Sequence, residues 1–224
     1  MITPARPPDL EVVDALEASL STVIRAQAPV RRLGSDPIDD ETVLTLLELA
    51  SRATAGQRRR CEFVVVRDPD VRHQLARAYR QGWSVYRRFL RTRSSEDALL
   101  ESRQWEADHF EDVPVIIVAC VDGHRPVFPA VGAAAFYSSV FPAVQNLLLG
   151  AAALGLGAAA STLPLWSPWE ARRTLGLPRS VTPVAVIPLG WPRGVPAPAP
   201  VAPIENLVHL DRYGHQPFRA RARN

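Results

Sequence analysis

The chain has 224 residues, of which 47% are hydrophobic and 22% charged, enough for one sizeable core and too apolar for wholesale disorder. Its 26 basic side chains are all arginine and stand against 23 acidic ones; the resulting +3 is not the footprint of a dedicated nucleic-acid binder. Two cysteines far apart in the sequence, Cys61 and Cys120, exclude a disulfide scaffold or a zinc ribbon and read as reduced, buried thiols.

Met1 to Asp9 carries three prolines and no apolar h-region, so no signal peptide is expected. Pro7-Pro8-Asp9 opens a first helix whose Val12, Val13, Leu16, Leu20, Val23 and Ile24 recur at spacings of three and four, to about Arg25. Pro29 breaks that pattern, and residues 28–38 read as an extended connection carrying Arg31 and Arg32. A second helix starts at Asp39 or Asp40, either a good cap, and ends near Thr54-Ala55-Gly56. Phe63-Val64-Val65-Val66 is β-branched and predicts a strand. Asp68-Pro69-Asp70 then starts a long helix reaching Phe89-Leu90, with Trp83 and Tyr86 at helical spacing as core or dimer contacts.

Residues 91–111 are polar and read as an irregular excursion or lid, in which Trp105, His109 and Phe110 are candidates to cover a planar ligand. Residues 113–121 form a second strand; because Val115-Ile116-Ile117-Val118 has no polar alternation, both of its faces should be covered. Residues 132–155 read as one central helix, stopped by Gly155-Leu156-Gly157, and 158–162 as a short strand. A small helix follows over 168–175, capped by Ser167 with Pro168 at its first position, and Val184-Ala185-Val186-Ile187 is a further strand. Pro196, Pro198, Pro200 and Pro203 mark an extended arm. The expected division is a core over 1–194 and a Pro/Ala/Arg-rich arm over 195–224. The most apolar stretch, 147–160, falls short of the roughly 20 residues that span a bilayer, so a soluble, cytoplasmic protein is expected.

The common catalytic signatures are missing: there is no GxSxG, GxxxxGK[ST], HExxH or CxxC, and the five histidines stand singly. The order of segments is more informative. Four passages carry a resemblance. The first is the basic stretch from Ile24 to Leu33. The second is Leu46-Leu47-Glu48-Leu49-Ala50, continuing through Ala53-Thr54-Ala55-Gly56-Gln57 into Phe63-Val64-Val65-Val66. The third is Phe141-Pro142-Ala143-Val144-Gln145-Asn146-Leu147 with Ala152-Ala153-Leu154-Gly155-Leu156-Gly157. The fourth is Thr174-Leu175-Gly176-Leu177-Pro178 followed by Ile187-Pro188-Leu189-Gly190-Trp191-Pro192. Together they resemble, over roughly residues 10–214, the nitroreductase-like FMN oxidoreductases.

That resemblance implies an α+β fold: a central, mostly antiparallel sheet flanked by helices, with an extended C-terminal arm in an intertwined homodimer. It implies FMN as cofactor, NAD(P)H as electron donor and a nitroaromatic, quinone or similar small planar acceptor. The charge balance and the short apolar stretch lead us to expect neither nucleic acid nor membrane as a partner. The hard chemistry would then belong to the flavin, and no acid–base pair need be visible. Carried over by position, the cofactor-binding residues are Gln27, Arg31, Gln57, Arg58, Thr162 and Leu163. No catalytic side chain and no metal ligand is expected. Arg31 would stabilise the anionic reduced ring. Gln57 stands where the family has an asparagine, one methylene shorter. The family's first Arg-Ser is replaced around Gln27, Ala28 and Pro29, and its basic phosphate clamp aligns with Val201 and Ala202. The run Arg58-Arg59-Arg60 can supply the missing charge. The alternatives are a protein that binds a flavin or other planar ligand without turnover, and a structural dimer with no ligand.

Overall fold

The strand expected at 113–121 organises the molecule. In the computed structural model, which describes residues 18–53, 61–90, 97–123, 130–195 and 201–218, β2 (Val115–Asp122) lies between β1 (Cys61–Val66) and β4 (Val181–Gly190). A two-residue strand, β3 (Gly157–Ala158), pairs with the far side of β4, giving the order β1-β2-β4-β3 with every pairing antiparallel. Successive side chains of β2 point to opposite faces. Val115, Ile117, Ala119 and Val121 enter one core with Leu46, Val144 and Leu147. Ile116, Val118 and Cys120 enter a second with Leu75, Tyr79, Trp83 and Phe110. Two cores on two faces explain the unbroken apolar run, since each fully buried Val or Ile contributes about 1.5–3 kcal/mol. The register slips between Ala119 and Cys120, where Pro183 sits in β4; a bulge tolerates a residue with no N–H to give the ladder.

Helices cover both faces. The first, α1 (Leu20–Ala26), is capped by Ser19 and has no buried residue; the part of the expected first helix before residue 18 lies outside the described residues. The second, α2 (Asp40–Ser51), starts at Asp39, whose carboxylate accepts from the Thr42 N–H at 2.6 Å and the Thr42 hydroxyl at 2.9 Å. The third, α3 (Pro69–Leu90), starts where Asp68 accepts from the N–H groups of Asp70 and Val71.

Two expectations are corrected. The excursion over 91–111 contains a regular helix, α4 (Asp97–Asp108), held to α3 by paired side chains. The Trp83 indole donates to Gln104 at 2.8 Å, as does Arg87 at 2.9 Å, and Tyr79 packs edge-on to Phe110 with ring centroids 5.0 Å apart. Phe110 is therefore core, while Trp105 stacks on His109. The expected central helix is two helices, α5 (Ala130–Ser138) and α6 (Phe141–Ala153). Pro142 in the first turn of α6 has no N–H to continue the α5 ladder, and the Ser139 hydroxyl turns back to the Phe136 carbonyl. The small helix α7 (Pro168–Thr174) has the expected Ser167 cap. Residues 201–218 carry one 3-10 turn, Ile204–Asn206, and leave Val201, Ile204 and Tyr213 exposed.

The connection after α1 runs extended, as proline at 29 predicts, and crosses the end of the sheet. The Val30 N–H reaches the Ala158 carbonyl, Leu33 bridges to Pro192, and the Gly34 N–H bonds the Trp191 carbonyl at 2.7 Å. This crossing needs glycine beneath it. A Cβ on Gly190 would stand 2.9 Å from the Gly34 carbonyl oxygen, and one on Gly157 2.6 Å from Leu33 Cδ2. The result places Arg31 beside β3 and facing α4.

Candidate functional site

An open cleft of about 260 Å³ lies where five segments meet. Ala160, Ser161, Thr162 and Leu163 line it from the segment after β3, Ala185 from β4, Tyr86 from α3, Arg103 from α4 and Phe141 from the start of α6. The floor is fixed by the sheet: Ser161 exchanges both backbone hydrogen bonds with Val186, at 2.9 and 2.8 Å, and its hydroxyl accepts from the Leu163 N–H. The expected strand over 158–162 thus shrinks to Gly157–Ala158 plus this single bridge. Tyr86 and Phe141 are 41% and 46% exposed, large apolar groups left at the cleft. The lining combines two aromatic rings, three hydroxyls and one guanidinium, which suits a planar ligand with polar edges.

Behind the α4 wall is a buried ionic cluster. Arg31 Nε lies 3.2 Å from Glu106 Oε2, with both side chains almost fully buried. The Tyr79 hydroxyl donates to the same oxygen at 2.9 Å. Glu106 Oε1 is buried and has no hydrogen-bond partner among the described residues. Burial pushes the Glu106 carboxyl up to about 7, against the pull of the Tyr79 hydrogen bond, Arg31 and Arg103. Burial likewise lowers Arg31, partly offset by Glu106, and raises Tyr79, helped by the Glu106 charge. Arg103 belongs to both settings: it lines the cleft, and its charge acts on Glu106, Arg31 and Tyr79.

Of the residues expected to bind a cofactor, Thr162 and Leu163 line the cleft. Arg31 stands in the cluster behind α4, paired with Glu106. Gln27 caps α1, half-buried, with its N–H on the Val23 carbonyl. Gln57 and Arg58, with Arg59 and Arg60, lie outside the described residues. Sequence reasoning missed Arg103 and Glu106, because they fall in the segment read as irregular. The signal was available: Leu100, Ala107 and Phe110 keep helical spacing, which sets Arg103 and Glu106 on a face with them. No group of acidic, histidine or cysteine residues able to hold a metal occurs among the described residues, and no described helix is long and apolar enough to cross a membrane.

Known proteins share this architecture. The sequence model of one family, the nitroreductase family, matches residues 24–191. A protein of Methanothermobacter thermautotrophicus, provisionally named NADH dehydrogenase/NAD(P)H nitroreductase, is 26% identical over 204 residues, 90% of this chain and 88% of its own. An iodotyrosine deiodinase solved with FMN and 3-iodo-L-tyrosine superposes with a TM-score of 0.66 at 20% identity, covering 88% of this chain and 99% of that one. The NADPH:FMN oxidoreductase of Vibrio harveyi, solved with NAD+, superposes with a TM-score of 0.64 at 20% identity, covering 88% and 79%. At these identities the two structures speak for the fold.

Proposed function

Because this chain belongs to the nitroreductase family, we propose that it is an FMN-dependent NAD(P)H oxidoreductase acting on a small planar aromatic acceptor. The observation that carries the reading is the cleft at Thr162 and Leu163, where the resemblance puts the flavin ring. The residues present fit the ring end of that cofactor: aromatic groups for its faces, hydroxyls and backbone at its edge, and a positive charge close by. When bound, FMN supplies the redox step, taking a hydride from NAD(P)H and giving electrons to a nitroaromatic, quinone or similar acceptor. The chain's own part is placement. Ser161 and Val186 hold the floor rigid, Tyr86 and Phe141 exclude water, and the Arg31–Glu106–Arg103 cluster sets the charge behind the wall.

At about 260 Å³ the cleft is small beside the roughly 300–1,000 Å³ usual for a small-molecule site, which supports a site completed by a second copy. The exposed Leu20, Ile24, Phe141 and Trp166 support a homodimer that covers them, with the arm over 195–224 reaching the partner. For the phosphate we propose Arg58 and its two arginine neighbours, since Val201 and Ala202 offer no charge.

The test is an FMN titration of the purified protein followed by anaerobic NAD(P)H. A yellow complex that NAD(P)H bleaches is expected, with binding weakened in Arg31→Ala and in the Arg58→Ala/Arg60→Ala double variant. A colourless protein that takes up no FMN refutes the reading. Flavin uptake without NAD(P)H consumption would mark the alternative, a flavin-binding protein without turnover.

A further inference from the structure

The Glu106 carboxyl is buried, and its two oxygens are treated differently. Oε2 accepts from the Tyr79 hydroxyl at 2.9 Å and faces Arg31 Nε at 3.2 Å. Oε1 is just as buried and has no hydrogen-bond partner among the described residues. A carboxylate oxygen so placed carries charge with nothing to solvate it, so Oε1 is the atom on which a proton would sit. The charged and titratable groups that act on this carboxyl are Tyr79 from α3, Arg31 from the 28–38 connection and Arg103 from α4 itself. The two arginines favour the charged form. Burial opposes them and leaves the carboxyl at about 7, so both forms are populated near neutral pH. Arg103 also lines the cleft, one helical turn from Glu106. Negative charge that develops in the cleft offsets the arginine field that keeps the proton off Oε1.

We propose that Glu106 is a proton store for the redox cycle: its carboxylate takes up a proton on Oε1 when the ring in the cleft is reduced and releases it when the ring is reoxidised. The proposal rests on the oxidoreductase reading above and gives a role to a residue that touches neither ring nor acceptor and acts through the field of Arg103. The hydride from NAD(P)H brings two electrons and one proton, which adds one negative charge to the cleft. Glu106 takes one proton from solvent in the same step, so the shielded site as a whole gains no charge; an uncompensated charge there would be costly. On reoxidation a nitro group takes two electrons and two protons to give nitroso and one water. One of those protons is the hydride's, and the second, drawn from solvent, is balanced by the one that Glu106 returns.

The experiment measures the midpoint potential of the FMN-loaded protein against a reference dye from about pH 6 to about pH 9, in the original and in Glu106→Gln. For a two-electron couple, a tenfold change in proton affinity corresponds to about 30 mV. Reduction should raise the proton affinity of Glu106 about tenfold, so the potential of the original should fall about 30 mV further across that range than the potential of Glu106→Gln. Anaerobic reduction by NAD(P)H in weak buffer at about pH 7.5, followed with a pH indicator, should take up about half a proton per flavin more in the original. Tyr79→Phe removes a hydrogen bond that favours the carboxylate, so it should move the steep region of the potential to higher pH and keep its size. Should Glu106→Gln not fold, that shift supports the proposal and an unmoved region overturns it. Equal pH dependence in the original and Glu106→Gln, even with the potential displaced by a constant amount, marks a merely structural role and overturns the proposal while leaving the oxidoreductase reading intact. A protein that takes up no FMN overturns both.

Discussion

The buried Glu106 carboxyl predicts a pH dependence whose sign follows from its surroundings. Its carboxyl ordinarily titrates at 4.5 and is pushed up to about 7 in the fold, chiefly by burial. Between those two values the folded chain binds a proton that the unfolded chain has released. Stability from this group is therefore fully present below about 4.5 and is lost as pH rises through 7. The shift of 7 − 4.5 at about 1.4 kcal/mol per unit is a penalty of about 3 kcal/mol for holding the carboxylate charged at pH 8. Between pH 5 and pH 8 the change should be about 2–3 kcal/mol, since the unfolded chain is already largely ionised at pH 5. Glu106→Gln keeps the shape and an oxygen for the Tyr79 hydroxyl and Arg31, and removes the proton. The measurement is urea unfolding of both proteins at pH 5 and pH 8. The loss of stability on going to pH 8 should be about 2–3 kcal/mol larger in the original than in Glu106→Gln, with all other titrating groups cancelling. A difference of zero, or a protein that gains from the carboxylate at pH 8, refutes the claim that burial outweighs the Arg31 pairing.

Two further outcomes follow from packing. Gly190→Ala should destabilise the fold by about 1–3 kcal/mol or prevent its formation, because the new Cβ would meet a backbone oxygen at 2.9 Å that no rotamer change can move; thermal unfolding measures it. Cys61 and Cys120 are pushed up to about 11 and about 12 by burial, so at pH 7.5 both stay thiols. A disulfide reagent should modify them at least tenfold more slowly in the native protein than in urea, and equal rates would mean that the sheet does not shield them.

Elements whose signal is local could be read from the chain. The Asp39 cap, the Asp68-Pro69 start of α3, the Ser167-Pro168 start of α7 and the unbroken apolar run of β2 each depend on neighbours a few residues away, and each holds in the structure. The α4 helix was obscured because its polar residues serve partners on another element: Gln104 receives Trp83 and Arg87, and Glu106 receives Tyr79 and Arg31. Charged residues used inside a fold look the same, in sequence, as charged residues on a solvated loop. The break at Pro142 was likewise readable in principle, yet alanine-rich flanks on both sides kept the helical pattern continuous.

Apolar periodicity and caps were enough to specify a layered chain of alternating helices and strands, because hydrophobic spacing and caps act over one or two turns, and the resemblance of four passages to the nitroreductase-like proteins added the family. The cleft, the pairing of Arg31 with Glu106, and the exposure of Arg103 were decided only by tertiary structure. Burial and charge pairing depend on which distant segments meet, and it was the crossing of the 28–34 connection over β4 against α4 that brought these groups together.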